Sequence, residues 1–186
     1  LLCTPRLRKL GIYRRIALKW QENWQEFRPR LVSHAHYRNC DITPLLEPSI
    51  RHEFTHGAPS VEILTKLWRR TLALWQPKLL YINCYYGRSA VPAIIAAKSL
   101  GIPTFEQQHG IITKNHNPYL VPRNLEASTR FPLCDFMLVW GPFAKRLLVD
   151  EGVYSPEQVV VCGFPRMDAS LDRLPPRSQI RARLDL

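Results

Sequence analysis

Two short stretches carry residue types at spacings that can do chemistry. The first is E-Q-Q-H-G-I-I-T-K-N-H-N-P-Y, residues 106–119, which packs two His, a Gly, an Asn, a Lys and a Tyr into fourteen positions. It begins within a short expected strand, T-F-E-Q, residues 104–107. A loop at the carboxyl end of a buried strand holds a side chain firmly while exposing it to a crevice, as a general base requires. His109 is the first candidate for that base and His116 the second. Gly110 would let a ligand approach the backbone, and Lys114, Asn115 and His116 would line the cleft. The competing reading is a polar loop in which His109 only hydrogen-bonds its neighbours.

The second stretch is H-E-F-T-H, residues 52–56, the H-E-x-x-H pattern of zinc peptidases. Its two His would share one helical face and its Glu would be the base. Gly57, Ala58 and Pro59 follow at once, so the helix is expected to end at His56. Glu62 is too near to supply a third ligand from a separate helix. A looser zinc set of His34, His36, Cys40, His52 and His56 matches no zinc module. The reading is therefore no metal, with a zinc metallopeptidase through His52, Glu53 and His56 as the rival.

The elements around these stretches follow from periodicity. Apolar residues at 10, 13, 16 or 17, 20, 24 and 27 describe an amphipathic helix with an aromatic stripe. Residues 1–30 place eight cations (Arg6, Arg8, Lys9, Arg14, Arg15, Lys19, Arg28, Arg30) against Glu22 and Glu26. Such a stretch either packs its stripe on the domain or docks on an anionic membrane surface through Trp and Arg/Lys. No nucleic-acid motif accompanies it, so nucleic acid is not an expected partner. Residues 31–60 read as His-rich loops with short elements, and 61–75 as a helix ended by Pro77.

From Pro77 onward, short strand-like stretches at 78–83, 104–107, 136–140 and 158–162 alternate with helical stretches. That pattern predicts a parallel, doubly wound sheet with helices on both faces, where ligands bind beyond the carboxyl ends of the strands. Gly87, Arg88 and Ser89 lie where the first strand meets its helix. They form either a phosphate- or sugar-acid-binding turn or a plain turn with Ser89 as N-cap. Five scattered Cys with no C-x-x-C suggest reduced thiols, with Cys84 and Cys162 buried. No run is long enough to span a membrane. The chain opens without Met and stops inside the helical pattern I-R-A-R-L-D-L, as a piece of a longer protein would.

Several runs carry a family resemblance: S-L-G-I-P-T-F-E-Q-Q-H-G-I-I, N-H-N-P-Y, C-D-F-M-L-V-W-G-P-F-A-K-R-L-L and V-V-V-C-G-F-P-R-M-D. They resemble bacterial surface-polysaccharide glycosyltransferases with two Rossmann-like domains, the GT-B architecture. Polyol-phosphate transferases and sugar-nucleotide epimerases share related layouts. The resemblance covers about residues 77–186. It implies that 61–165 form a Rossmann-like acceptor-side domain and that 166–186 begin the linker to a donor-binding domain, with 1–60 as the preceding basic helix and connecting segment. It also implies a nucleotide sugar as donor substrate, no cofactor, and a lipid-linked or polysaccharide acceptor of envelope, capsule or lipopolysaccharide assembly. Work would be cytoplasmic, peripheral on the inner membrane face. His109 then deprotonates the acceptor hydroxyl, while Asp168 is a site residue or a plain cap. A non-catalytic module binding membrane or polyanions through the basic helix is the third reading.

Overall fold

The computed structural model describes residues 11–120 and 132–185. Arg6, Arg8, Lys9 and Leu10 of the basic stretch lie outside the described residues. The protein is mixed α/β and divides into two compact units, residues 1–80 with 86–103, and residues 81–85 with 104–186.

The first unit is mainly helical. Helix α1, Gly11–His34, is longer than its aromatic stripe alone required, running through Pro29. Its apolar positions turn inward. Tyr13 and Ile16 pack with Ile63, and Trp24 and Leu31 with Ala35 and Phe54. A two-residue hairpin follows, β1 His36–Tyr37 with β2 Cys40–Asp41. Its corner residues Arg38 and Asn39 take positive φ, as a tight hairpin turn demands.

Helix α2 is Thr43–His52, and α3 is Ala58–Trp75. The expected break after His56 does not occur. A π-helical turn, Glu53–Gly57, joins the two helices instead. The Ala58 N–H reaches back to the Glu53 carbonyl, and this wider turn makes room for the Pro59 ring, which would otherwise press on the Thr55 carbonyl. The same turn swings Phe54 into the stripe of α1, with ring centroids 5.1 Å from Phe27, 5.6 Å from Trp24 and 6.0 Å from Trp20. The stripe is thus spent on packing. The outer face of the helix shows Arg14, Arg15, Lys19 and Arg30. Helix α3 ends on Gln76 in the left-handed conformation, before Pro77. Helix α4, Ala90–Ser99, completes the unit by burying Ala96 and Ala97 against Leu72.

The second unit is built on a four-stranded sheet of order β3-β4-β5-β6. The strands are β3 Leu80–Ile82, β4 Thr104–Gln107, β5 Phe136–Val139 and β6 Val159–Val161. β4, β5 and β6 run parallel, with Glu106 opposite Met137 and Leu138 opposite Val160. All four expected strands are present. Their order, however, follows the chain without reversing, so the described residues contain no switch point of the doubly wound kind. Helix α5, Pro142–Asp150, buries Ala144, Leu147 and Leu148 beside β5 and β6. Short helices α6, Pro165–Leu171, and α7, Arg177–Arg183, are exposed. Cys134 is buried here, whereas Cys162 is exposed and Cys84 half-buried, contrary to the expectation for those two.

Gly152 is required by close approach. A Cβ there would collide with the Leu148 carbonyl oxygen and stand 3.2 Å from that of Tyr119. Backbone atoms cannot swing aside, so Gly152→Ala is expected to destabilise the protein by about 1–3 kcal/mol in urea unfolding. An unchanged midpoint would mean that the contact relaxes freely.

Candidate active site

Strand β4 fixes the site through alternation. Thr104 and Glu106 face inward and are fully buried, while Phe105 and Gln107 are half-buried. The start of the strand is pinned by Asp135, whose Oδ2 accepts from both the backbone N–H and the hydroxyl of Thr104 at 2.8 Å. Three residues beyond Glu106 comes His109, with its side chain 29% exposed.

The segment after His109 folds back through turns in which His116 N–H donates to Thr113 and Tyr119 N–H to His116. Tyr119 is thereby buried between the two. Its hydroxyl donates to Glu106 Oε1 at 2.6 Å and lies 3.3 Å from His109 Nδ1. Glu106 Oε1 stands 3.7 Å from the same Nδ1 and also accepts the Tyr85 backbone N–H at 3.3 Å. The Tyr85 hydroxyl donates to the Pro118 carbonyl, which braces the returning segment. The His116 ring meets Tyr119 edge-on at 4.7 Å.

Charge and protons follow from this arrangement. Burial pushes the Glu106 carboxyl up to about 7, against the opposing hydrogen bonds from Tyr119 and the Tyr85 backbone. Glu106 Oε2 is buried without a hydrogen-bond partner, and so is the Tyr154 hydroxyl. Tyr154 is pushed well up by burial first and then by the Glu106 charge. When Glu106 is ionised, the Tyr119 proton points to the carboxylate. The Tyr119 oxygen then accepts from His109 Nδ1–H, a tautomer that puts the basic lone pair on Nε2. A half-exposed imidazole, backed by a tyrosine and a buried carboxylate, can take a proton and hold the resulting charge.

The expected site residues are distributed as follows. His109, Gly110, Lys114, Asn115 and His116 belong to the second unit, and Gly87, Arg88 and Ser89 to the first. Gly110 has open space where a Cβ would stand and no left-handed φ, so the fold itself does not require glycine there. Lys114 is committed to Glu151 at 3.0 Å, beside the end of α5. Asn115 is exposed. Ser89 sits at the N-cap of α4 without a side-chain capping bond, and the N–H groups of Ala90 and Val91 already donate to the Gly87 carbonyl. That turn offers fewer free N–H groups to an anion than expected. Asp168 lies exposed in the first turn of α6, where a carboxylate suits the helix end.

The residues missed from sequence are Glu106, Gln108, Tyr119 and Tyr85. Glu106 had a readable signal, an acid on the inward phase of a strand three residues before a His. Gln108 is buried and works through both ends of its amide. Its Nε2 donates to the Gly110 carbonyl and its Oε1 accepts from Trp140 N–H, each at 2.9 Å.

The H-E-F-T-H stretch gathers no metal site. Among the described residues, no three His, Cys, Asp or Glu side chains come together to hold an ion. His52 and His56 stack at 4.8 Å and 15°. A groove of about 670 Å³ beside α3 is lined by Glu53 but by neither histidine. No helix among the described residues is long and apolar enough to cross a membrane. Comparison with protein-family models, with curated proteins and with solved structures found no match to this chain.

Proposed function

We propose that this chain is the amino-terminal, acceptor-side part of a GT-B-type transferase with a Rossmann-like sheet, which moves a sugar from a nucleotide-activated donor to a bacterial envelope or capsule polysaccharide acceptor. The observation that carries the reading is the line His109–Tyr119–Glu106 at the carboxyl end of β4. The resemblance of the strand and loops around it supports the substrate class.

In this reading His109 Nε2 takes the proton of the acceptor hydroxyl. The freed oxygen bonds to the anomeric carbon as the bond from that carbon to the nucleotide phosphate breaks. The imidazolium so formed is stabilised through Tyr119 by the Glu106 carboxylate. The donor is a substrate and no cofactor takes part. The work is assigned to the cytoplasmic membrane face, where the exposed cations of α1 would meet anionic headgroups.

The test is turnover by the full-length protein of a panel of nucleotide sugars and CDP-polyols, with and without chelator. Nucleotide release from one nucleotide sugar that persists in chelator is the expected result. Release from a CDP-polyol alone would move the activity to polyol-phosphate transfer. Turnover of no donor would overturn the reading.

A further inference from the structure

The carboxyl ends of β5 and β6 carry an aromatic pair that the proposed chemistry does not use. Trp140 and Phe164 stack with centroids 4.0 Å apart and planes within 11°. Near-parallel rings at this spacing are stacked on their apolar π-faces. Both rings are only half-buried. The indole Nε1 is nevertheless buried and has no hydrogen-bond partner, although buried indole N–H groups usually find one. The pair is therefore short of a partner at its donor.

Position ties the pair to the base. The Gln108 amide bridges the Gly110 carbonyl and the Trp140 N–H at 2.9 Å each, so both chain neighbours of His109 are fastened to the main chain of Trp140. Phe164 is held alongside by the Cys162 N–H, which donates to the Val139 carbonyl at 2.9 Å.

We infer that Trp140 and Phe164 form the subsite for the ring of the acceptor sugar, parting to take its flat face while a ring hydroxyl reaches His109. The inference rests on the transferase reading and names the chemistry of its acceptor. The C–H groups on the flat face of a pyranose are weakly positive and suit a π-face. A ring hydroxyl supplies the acceptor that the indole N–H lacks.

The experiment uses protein labelled with 15N in its tryptophans, five in the chain. The Trp140 indole signal is identified as the one missing from Trp140→Phe. The probes are maltotriose, triacetylchitotriose and a mannotriose, with UMP as the nucleobase probe. The expected result is a saturable shift of the Trp140 signal with at least one trisaccharide, weakened roughly fivefold in Phe164→Leu, retained in Phe164→Tyr, and retained in His109→Ala. Immobility with all three trisaccharides, movement with UMP alone, or equal affinity in Phe164→Leu would overturn it. Because no donor is present, sugar binding without any donor turnover would sink the transferase reading alone. Donor turnover with an unmoved Trp140 would sink the subsite alone.

Discussion

Donor turnover by His109→Ala is expected to fall by about 10²–10⁴-fold in kcat/KM, the range that a positioned general base supplies. Glu106→Gln should lose less, roughly tenfold to a hundredfold, because the imidazole stays in place. Gln keeps an oxygen to accept the Tyr119 hydroxyl, now at 2.6 Å from Glu106 Oε1, but lacks the charge that stabilises the imidazolium. The two losses also differ in pH dependence. With Glu106 titrating at about 7, the wild-type rate should rise with pH through that value as the carboxylate forms, and this limb should vanish in Glu106→Gln. Measuring kcat/KM from pH 5.5 to 9 for the three proteins decides it. A Glu106→Gln profile that kept the wild-type limb would show that the limb belongs elsewhere and that Glu106 does not act on the base. Full activity in His109→Ala would remove the base assignment itself.

The strands were legible because each is a short stretch between Pro and Gly, apolar in all but T-F-E-Q, and four candidates fell where the strands lie. His109 was legible for the same reason, since its loop follows the T-F-E-Q run directly. Its support was not. Tyr119 joins Glu106 only because turns at 113–119 fold the segment back, and a one-dimensional reading weighs such a segment as a row of polar residues. Pairing order is likewise a tertiary choice, which alternation cannot reveal. The helix through His56 was misjudged because Pro59 was weighed against a regular α-helical ladder, whereas one π turn relieves the clash. The aromatic stripe of α1 was read correctly as a face, but what covers it depended on Phe54, which that same turn delivers.

Glu106→Gln is expected to gain on wild type in stability as pH rises through about 7, by about 3 kcal/mol in the limit relative to their difference at low pH. The fully buried carboxyl titrates at about 7 in the folded protein, against an ordinary value of 4.5. Between those pH values the native state holds a proton that the unfolded chain has released. The stabilisation from the neutral, folded carboxyl is therefore complete below about 4.5 and is lost as pH rises through about 7. Gln, which never ionises, escapes that loss. It leaves one polar atom buried where Glu106 Oε2 already stands without a partner, so it exchanges a charged orphan for a neutral one. Other carboxylates move the opposite way, among them Glu62, held low by its hydrogen bond from Lys66, but they are common to both proteins and cancel in the comparison. Thermal midpoints of the two proteins from pH 5 to 9 should thus diverge, with the variant gaining on wild type as pH rises. Parallel curves would mean that the carboxyl is not held against ionisation, and the charge behind His109 would then cost the fold nothing. Divergence, together with the lost rate limb, would show that the fold gives up stability to keep a carboxylate behind this imidazole, a cost that packing alone gives no reason to retain.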